Sequence, residues 1–141
     1  MQNLKILVAD DEPEILKIMT KKIAERGYAV ISAADGEEAW QKIRNESPDI
    51  IVLDLNMPKK NGFEVLQELR EHPPEEKWQP VIIVSARGEM DDVKKGLSLE
   101  AEHYLVKPCS VDRILIAIKL MAGLIPQRKS PSEIRNEQHL S

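Results

Sequence analysis

Cysteine, histidine and aromatic residues are scarce in this chain of 141 residues, which has one cysteine, three histidines and 4% aromatic side chains. A single cysteine, Cys109, cannot form an internal disulfide bond, which favours the cytoplasm as the location. The three histidines, His72, His103 and His139, lack the spacing of zinc ligands. We therefore expect no structural zinc site.

Long apolar segments are also missing. Residues 114–125 are strongly apolar, but Lys119 interrupts them and they are shorter than the roughly 20 residues that a membrane span requires. The N-terminus leads directly into charged residues and does not resemble a signal peptide. The net charge of -4 disfavours non-specific binding to nucleic acid or anionic lipid. We expect a cytoplasmic protein without direct nucleic-acid or membrane contacts.

Short apolar runs alternate with segments of helical periodicity along most of the chain. Strands are predicted at residues 4–10, 28–33, 49–55, 80–86 and 102–107. Helices are predicted after each strand, beginning near Pro13, Asp35, Gly62, Met90 and Ser110. Because the strands are apolar along their length rather than at alternate positions, they belong in a parallel sheet covered on both faces. The predicted fold class is α/β, a doubly wound five-stranded parallel sheet flanked by five helices.

The length suits one domain. Residues 126–141 contain two prolines and almost no apolar side chains, so they cannot bury enough surface to become ordered. We predict one domain over residues 1–125 and a flexible tail, or the start of a linker, over residues 126–141.

Polar or charged side chains stand at the ends of four predicted strands. Asp10 and Asp11 follow the first strand, and Asp54, Ser85 and Lys107 end the third, fourth and fifth. The carboxyl ends of parallel strands share one edge of the sheet, where such folds bind ligands. Neighbouring carboxylates repel one another unless a cation neutralises them, and oxygen ligands of this kind suit Mg²⁺. The sequence therefore predicts a magnesium site at this edge.

A metal at this edge leaves room for a phosphoryl group. Lys107 and the Ser85 hydroxyl are suited to phosphoryl oxygens, one by charge and one by hydrogen bonding. A carboxylate can act as a nucleophile and form an aspartyl phosphate, and Asp54 has the central position for this. Taken singly, Asp10 or Asp11 is more often a helix cap, Ser85 a turn residue and Lys107 a solvated side chain. Their combination at one edge favours phosphoryl chemistry.

Four motifs in this sequence resemble the receiver domain of two-component response regulators, the family typified by the chemotaxis regulator of bacteria. They are VADDE after the first strand, LDLNMPKKNG after the third, VSA after the fourth and YLVKP at the fifth, within residues 3–125. The resemblance implies a flavodoxin-like fold and a phosphoacceptor that is no enzyme beyond its own phosphorylation and dephosphorylation. It also implies two partners, a sensor histidine kinase or histidine phosphotransfer protein and a downstream effector protein or domain.

The resemblance assigns the phosphorylation site residue by residue. Asp54 is expected to be the phosphoacceptor. Asp10, Asp11, Asp54 and the backbone carbonyl of Asn56 are expected to hold Mg²⁺, with Asp11 a more direct ligand than Asp10. The side chains of Asn56 and Arg87 occupy positions where the family tunes the lifetime of the phosphoryl group.

The same resemblance assigns a switch. Lys107 and Ser85 are expected to bind the phosphoryl group, and the ring of Tyr104 is expected to turn inward when the hydroxyl of Ser85 moves. The surface formed by the fourth helix, fifth strand and fifth helix would then change. The peptide bond between Lys107 and Pro108 is expected to be cis.

Three features near the fifth strand depart from the family pattern. Cys109 stands where phenylalanine is common, and Glu100 stands where a helix-ending glycine is common. The loop of residues 71–79 is long and carries Trp78, which we expect to be exposed. None of the three touches the phosphorylation site. All three affect the shape of the region near the fifth strand, which is a usual output surface of the family.

The fifth predicted helix, from its N-cap Ser110 to about Ile125, is apolar on two sides. One side is typical of a core contact and comprises Val111, Ile114, Leu115, Ile118 and Met121. The other comprises Ile116, Leu120 and Leu124. A homodimer or partner contact through this helix and a slightly apolar surface helix are equally consistent with the pattern. The fourth helix has one apolar side, formed by Met90, Val93 and Leu97.

Other functions use parts of the same pattern. A phosphatase of the haloacid-dehalogenase type also has a strand-end aspartate and Mg²⁺, but it requires a second acid where this chain has Asn56. A flavin-binding protein requires small residues after the first strand, where DDEPE would repel the phosphate. A phosphorylation-independent binding module of the same fold would be expected to lack one of the five strand-end groups, and all five are present.

Overall fold

The computed structural model describes residues 4–74, 77–86, 90–99 and 101–125. The predictions for Arg87, Glu100, the side chain of Met90 and residues 126–141 concern parts of the chain outside this description. Within it, five strands alternate with five helices in the predicted order. The elements are β1 (Lys5–Ala9), α1 (Pro13–Glu25), β2 (Ala29–Ala33), α2 (Gly36–Glu46), β3 (Ile50–Leu53), α3 (Gly62–Glu71), β4 (Val81–Ser85), α4 (Met90–Ser98), β5 (His103–Val106) and α5 (Val111–Leu124).

The strands form one parallel sheet in the order β2-β1-β3-β4-β5. This order is that of flavodoxin-like folds, so the predicted fold class is confirmed. Every residue of β3 and β4 is buried, which explains why their sequences are apolar throughout.

Two apolar layers hold the helices on the sheet. α2 and α3 cover one face, where Ile43 and Leu66 pack in the same cluster as Ile51 of β3. α1 and α5 cover the other face, where Ile23 and Ile118 pack in the same cluster as residues of β1, β3 and β4. A fully buried isoleucine or leucine contributes roughly 1.5 to 3 kcal/mol, so these layers fix the sheet edge that carries the polar residues.

Local signals in the sequence set the helix ends. α1 has Pro13 in its first turn and is followed by Gly27, whose φ of 93° is unfavourable for other residues. Ser110 caps α5 by accepting a hydrogen bond from the backbone N–H of Arg113, as predicted. Asn61 caps α3 in a reciprocal capping box with Glu64.

The apolar sides of the last two helices differ in how well the sequence predicted them. Leu97 is 51% exposed, and α4 instead buries Gly96 against the sheet. The second apolar side of α5 is exposed as expected, at 61% for Ile116, 55% for Leu120 and 41% for Leu124. Among the described residues, no helix has the length and hydrophobicity needed to cross a membrane.

The expectation that Trp78 is exposed is wrong. Its indole ring is half-buried, and its N–H donates to the carboxylate of Glu102 at 3.2 Å. This contact fixes the loop before β4 to the start of β5.

Candidate functional site

Two buried aspartates stand immediately beyond neighbouring central strands. Asp54 follows β3, is 4% exposed, and donates its backbone N–H to the carbonyl of Ala9 at 3.0 Å. Asp10 follows β1, is 1% exposed, and donates its backbone N–H to the carbonyl of Ala33 at 3.1 Å. These ladder bonds extend the sheet by one residue, so the positions of the two carboxylates are set by rigid backbone.

Backbone N–H groups orient both carboxylates. Oδ1 of Asp54 accepts from the N–H of Asn56 at 3.0 Å, and Oδ1 of Asp10 accepts from the N–H of Glu12 at 2.9 Å. Each aspartate therefore turns its second oxygen toward the space between the strands.

Lys107 joins the two aspartates across that space. Its Nζ donates to Oδ2 of Asp10 at 2.9 Å and to Oδ2 of Asp54 at 3.1 Å. Its backbone N–H donates to the carbonyl of Ser85 at 2.8 Å, and the peptide bond to Pro108 is cis, as expected. The structure thus brings together Asp10, Asp54 and Lys107, which are separated by up to 97 positions in the sequence.

Burial and neighbouring charges have opposite effects on the pKa values of Asp54 and Lys107. Burial raises the pKa of Asp54, although the N–H of Asn56 and the charge of Lys107 act in the other direction. Burial alone would lower the pKa of Lys107, but its hydrogen bonds and charge interactions with Asp10 and Asp54 raise it overall. Lys107 therefore remains a cation at neutral pH.

Among the residues that the structure describes, carboxylates outnumber cations around Lys107. Asp10, Asp11 and Glu12 each place a carboxylate oxygen within 4.8 Å of the others. Asp11 and Glu12 are exposed, and the carboxylate of Glu12 is also 3.8 Å from Nζ of Lys107. An all-oxygen set of this kind fits Mg²⁺ or another hard cation. The carboxylate of Asp54 stands beside this set and accepts from Lys107 and Asn56.

Glu12 is a site residue that the sequence analysis did not single out. It is the last residue of the VADDE motif and the N-cap of α1, but its side chain forms no capping hydrogen bond. A third acid immediately after the predicted metal ligands was the signal that could have identified it.

The remaining predicted residues lie around this centre. Ser85 is fully buried at the end of β4, and Asn56 is exposed just beyond Asp54. Tyr104 lies half-buried on β5, paired in register with Ile83 of β4. Arg87 is outside the described residues.

Glycines allow the two loops beside Asp54 to approach each other. A Cβ on Gly62 would collide with the carbonyl oxygen of Asp54, and one on Gly36 would collide with that of Lys60. Lys59 and Asp35 also form an ion pair between these loops at 3.6 Å. The close packing holds the loop that follows Asp54 against the start of α2.

An apolar cavity of about 420 Å³ opens beside Lys107, between α1 and α5. Pro108 and Cys109 line it next to Lys107, and Ile15 and Ile18 line it from α1. The departure of Cys109 from the family pattern therefore lies in the wall of a cavity next to the site.

Comparisons with known proteins agree with the predicted resemblance. The model of the response regulator receiver domain matches residues 6–119. A probable transcriptional regulator, ycf27 of Porphyridium aerugineum, is 40% identical over 136 residues, which are 96% of this chain and 55% of that protein. The alkaline phosphatase synthesis transcriptional regulatory protein PhoP of Bacillus subtilis is 37% identical over 136 residues, with the same coverage of 96% and 55%.

A solved structure agrees as well. The receiver domain of the Francisella response regulator 1452 has a TM-score of 0.78 and 35% identity, and the match covers 84% of this chain and 96% of that one. The chain spans about half the length of the two curated relatives, so their names describe larger proteins.

Proposed function

Because the chain belongs to the family of response regulator receiver domains, we propose that Asp54 is its phosphoacceptor. The observation that carries this proposal is the contact of Nζ of Lys107 with both Asp10 and Asp54 at the carboxyl edge of the sheet. It combines a buried, oriented carboxylate with a cation that can stabilise added negative charge.

The proposed step is transfer of a phosphoryl group from the phosphohistidine of a sensor histidine kinase or a histidine phosphotransfer protein. A carboxylate oxygen of Asp54 forms a bond to phosphorus while the phosphorus–nitrogen bond breaks, and the electron pair leaves with the imidazole, which takes up a proton. Lys107 then donates to a phosphoryl oxygen. A receiver domain is not a classical enzyme, and we propose that its chemistry is limited to its own phosphorylation and dephosphorylation.

Receiver domains generally bind Mg²⁺ through acidic residues, and an acidic group is present here. We propose that Asp10, Asp11, Asp54 and the carbonyl of Asn56 hold the ion, with Glu12 adding negative charge beside it. When bound, Mg²⁺ supplies positive charge to the phosphoryl oxygens. The excess of carboxylates over Lys107 supports this assignment.

The proposed response passes from the site to the surface formed by α4, β5 and α5. Ser85 ends β4 beside the site, and Tyr104 lies on the adjacent strand β5, which belongs to that surface; this arrangement supports their role as the switch. We propose that the side chains of Asn56 and Arg87 tune the lifetime of the phosphoryl group. Of these two, the structure describes only Asn56.

We also propose a partner contact on α5, with a second copy of this chain as one candidate. The exposure of Ile116, Leu120 and Leu124 supports it. Light scattering with and without beryllofluoride tests it, with Leu120→Lys as the variant. A mass that stays that of a monomer in both conditions would contradict the homodimer.

The domain boundaries, the cellular location and the downstream partner are proposals as well. We propose that residues 1–125 are the receiver domain, that residues 126–141 are a tail or the start of a linker, and that the chain acts in the cytoplasm on a downstream effector protein or domain. Relatives named as transcriptional regulators support an effector of transcription. The free thiol of Cys109 supports the location.

The phosphoacceptor is tested by incubating the protein with acetyl phosphate and Mg²⁺ and measuring its intact mass. The wild type should gain one phosphoryl group, and Asp54→Asn should gain none. Asp112→Asn, which removes an exposed carboxylate on α5, is the matched control and should behave as the wild type. A phosphoryl group on Asp54→Asn would contradict the assignment.

A further inference from the structure

Gly96 lies buried in the last turn of α4, where the helix packs on β4 and β5. A Cβ at this position would lie 2.9 Å from Cδ1 of Ile83, 3.1 Å from Cδ2 of Tyr104 and 3.3 Å from Cε2 of Tyr104. Ordinary carbon contacts are about 3.5 to 4.0 Å. The backbone of α4 therefore lies so close to β4 and β5 that a side chain at position 96 would require Ile83 and Tyr104 to shift.

Space is the reason for a glycine here. Glycine is disfavoured inside helices because of its backbone entropy. The φ angle of Gly96 lies outside the positive range that favours glycine, so the backbone conformation does not require it. Gly123 on α5 provides a contrast, because a Cβ there would meet no atom within 4 Å.

The two neighbours of Gly96 differ in their burial. Ile83 is fully buried in the interior of the sheet between β3 and β5. Tyr104 is half-buried on the edge strand β5. A methyl group at position 96 would therefore push Cδ1 of Ile83, the end of a flexible side chain, and would move the ring of Tyr104 by a few tenths of an ångström.

We propose that Gly96 is a positioning residue that forms the seat of the Tyr104 ring, and thereby determines which ring positions are available to the switch. The coupling of this seat to phosphorylation rests on the proposed function of Asp54 and Tyr104. The seat itself rests only on packing.

Fluorine NMR of protein labelled with 3-fluorotyrosine tests the seat. The chain has two tyrosines, Tyr28 and Tyr104, and Tyr104→Phe assigns their signals. Gly96→Ala should shift or split the signal of Tyr104 and leave that of Tyr28 unchanged. Gly123→Ala makes the same exchange in a helix without the contact, and it should leave both signals unchanged.

Titration with beryllofluoride in the presence of Mg²⁺ tests the coupling. If ring position and ligand binding are linked, Gly96→Ala should change the apparent affinity by about two- to thirtyfold, the range seen for residues that touch neither ligand. In a background of Tyr104→Ala and Ile83→Val, neither the ring nor the atom at 2.9 Å is present, so the effect of Gly96→Ala should disappear.

The outcomes separate the seat from the proposed function. A Tyr104 signal that responds no more to Gly96→Ala than to Gly123→Ala would overturn the seat, and a shifted signal with unchanged affinity would overturn its coupling. If the wild type binds no beryllofluoride, the proposed function fails while the spectra still decide the seat. If Gly96→Ala does not fold, adding Ile83→Val removes the atom at 2.9 Å and keeps the contact with Tyr104.

Discussion

The two ends of the sheet both bury a carboxylate beside a cation, but they balance charge differently. At the carboxyl end, Asp54 and Asp10 share Lys107. At the amino end, the carboxylate of Glu102 accepts from the N–H of Val81 at 2.7 Å, from the indole of Trp78 at 3.2 Å and from Arg70 at 3.5 Å.

At the amino end of the sheet, residues of the protein itself provide the hydrogen-bond partners of the ion pair. Arg70 also donates to the carbonyls of Leu99 at 3.1 Å and Gln79 at 3.2 Å, so it joins α3, the loop before β4 and the end of α4. At the carboxyl end, Asp11 and Glu12 add exposed carboxylates to a site with one bridging lysine. A half-buried ion pair whose carboxylate accepts three hydrogen bonds serves the fold. An excess of carboxylates instead leaves a place for an external cation and a phosphoryl group.

The largest effect is expected from removing one charge at the carboxyl end. Asp11→Asn should lower the apparent affinity for Mg²⁺ and the rate of phosphorylation by more than about 100-fold, because even outer-shell partners of metals cost 10- to 100-fold. Calorimetric titration of Mg²⁺ and phosphorylation by acetyl phosphate measure the two quantities. Since Asp11 is exposed, the free energy of unfolding without Mg²⁺ should change little.

Glu102→Gln is the matched control for Asp11→Asn, because it removes one negative charge at the other end of the sheet. It should leave the rate of phosphorylation within about twofold of the wild type, a change of under roughly 0.5 kcal/mol. A loss of phosphorylation in Glu102→Gln as large as in Asp11→Asn would remove the contrast between the two ends.

Substitutions at the amino end of the sheet should change the stability of the fold rather than phosphorylation. Glu102→Ala leaves the N–H of Val81 and the guanidinium of Arg70 without this acceptor, and should lower the free energy of unfolding by about 2 to 4 kcal/mol. Urea denaturation measures the change. Glu71→Ala, which removes an exposed carboxylate at the end of α3, is the control and should stay within about 0.5 kcal/mol of the wild type.

The carboxyl end was the more predictable of the two from sequence. Parallel topology alone places the residues after β1, β3 and β5 at one edge, so Asp10, Asp54 and Lys107 could be brought together without knowledge of side-chain packing. The family predicted from the four motifs is confirmed. Glu12 was missed because a third acid on an exposed helix start is usually only solvated.

The contacts at the amino end of the sheet could not be predicted from the sequence because they depend on side-chain packing. Trp78 and Glu102 are 24 positions apart, and no local pattern relates a loop tryptophan to a residue before an edge strand. The periodicity of α4 likewise placed Leu97 on its apolar side, yet Leu97 is 51% exposed. The close approach of α4 to β4 and β5 buries Gly96 instead, and spacing along the chain does not report that distance.

The smallest effect expected is a pH dependence from Glu102. Burial raises the pKa of Glu102, against the opposing contributions of Val81, Arg70 and Trp78, above its usual value of 4.5. Between 4.5 and the raised pKa the folded state therefore binds more protons than the unfolded state, so this group stabilises the fold as pH falls through that window. The contribution is complete below 4.5 and is lost as pH rises through the folded pKa.

Glu102→Gln isolates this contribution, because glutamine keeps an acceptor oxygen but does not titrate. The free energy of unfolding of the wild type minus that of the variant, measured in urea from pH 7 to pH 4, should rise as pH falls. Trp78→Phe removes a donor that lowers the pKa of Glu102, so the same rise should begin at a higher pH. A difference that falls with decreasing pH would mean that the donors of the amino end outweigh its burial, and the two ends would then differ in the sign of their carboxylate pKa shifts as well as in charge balance.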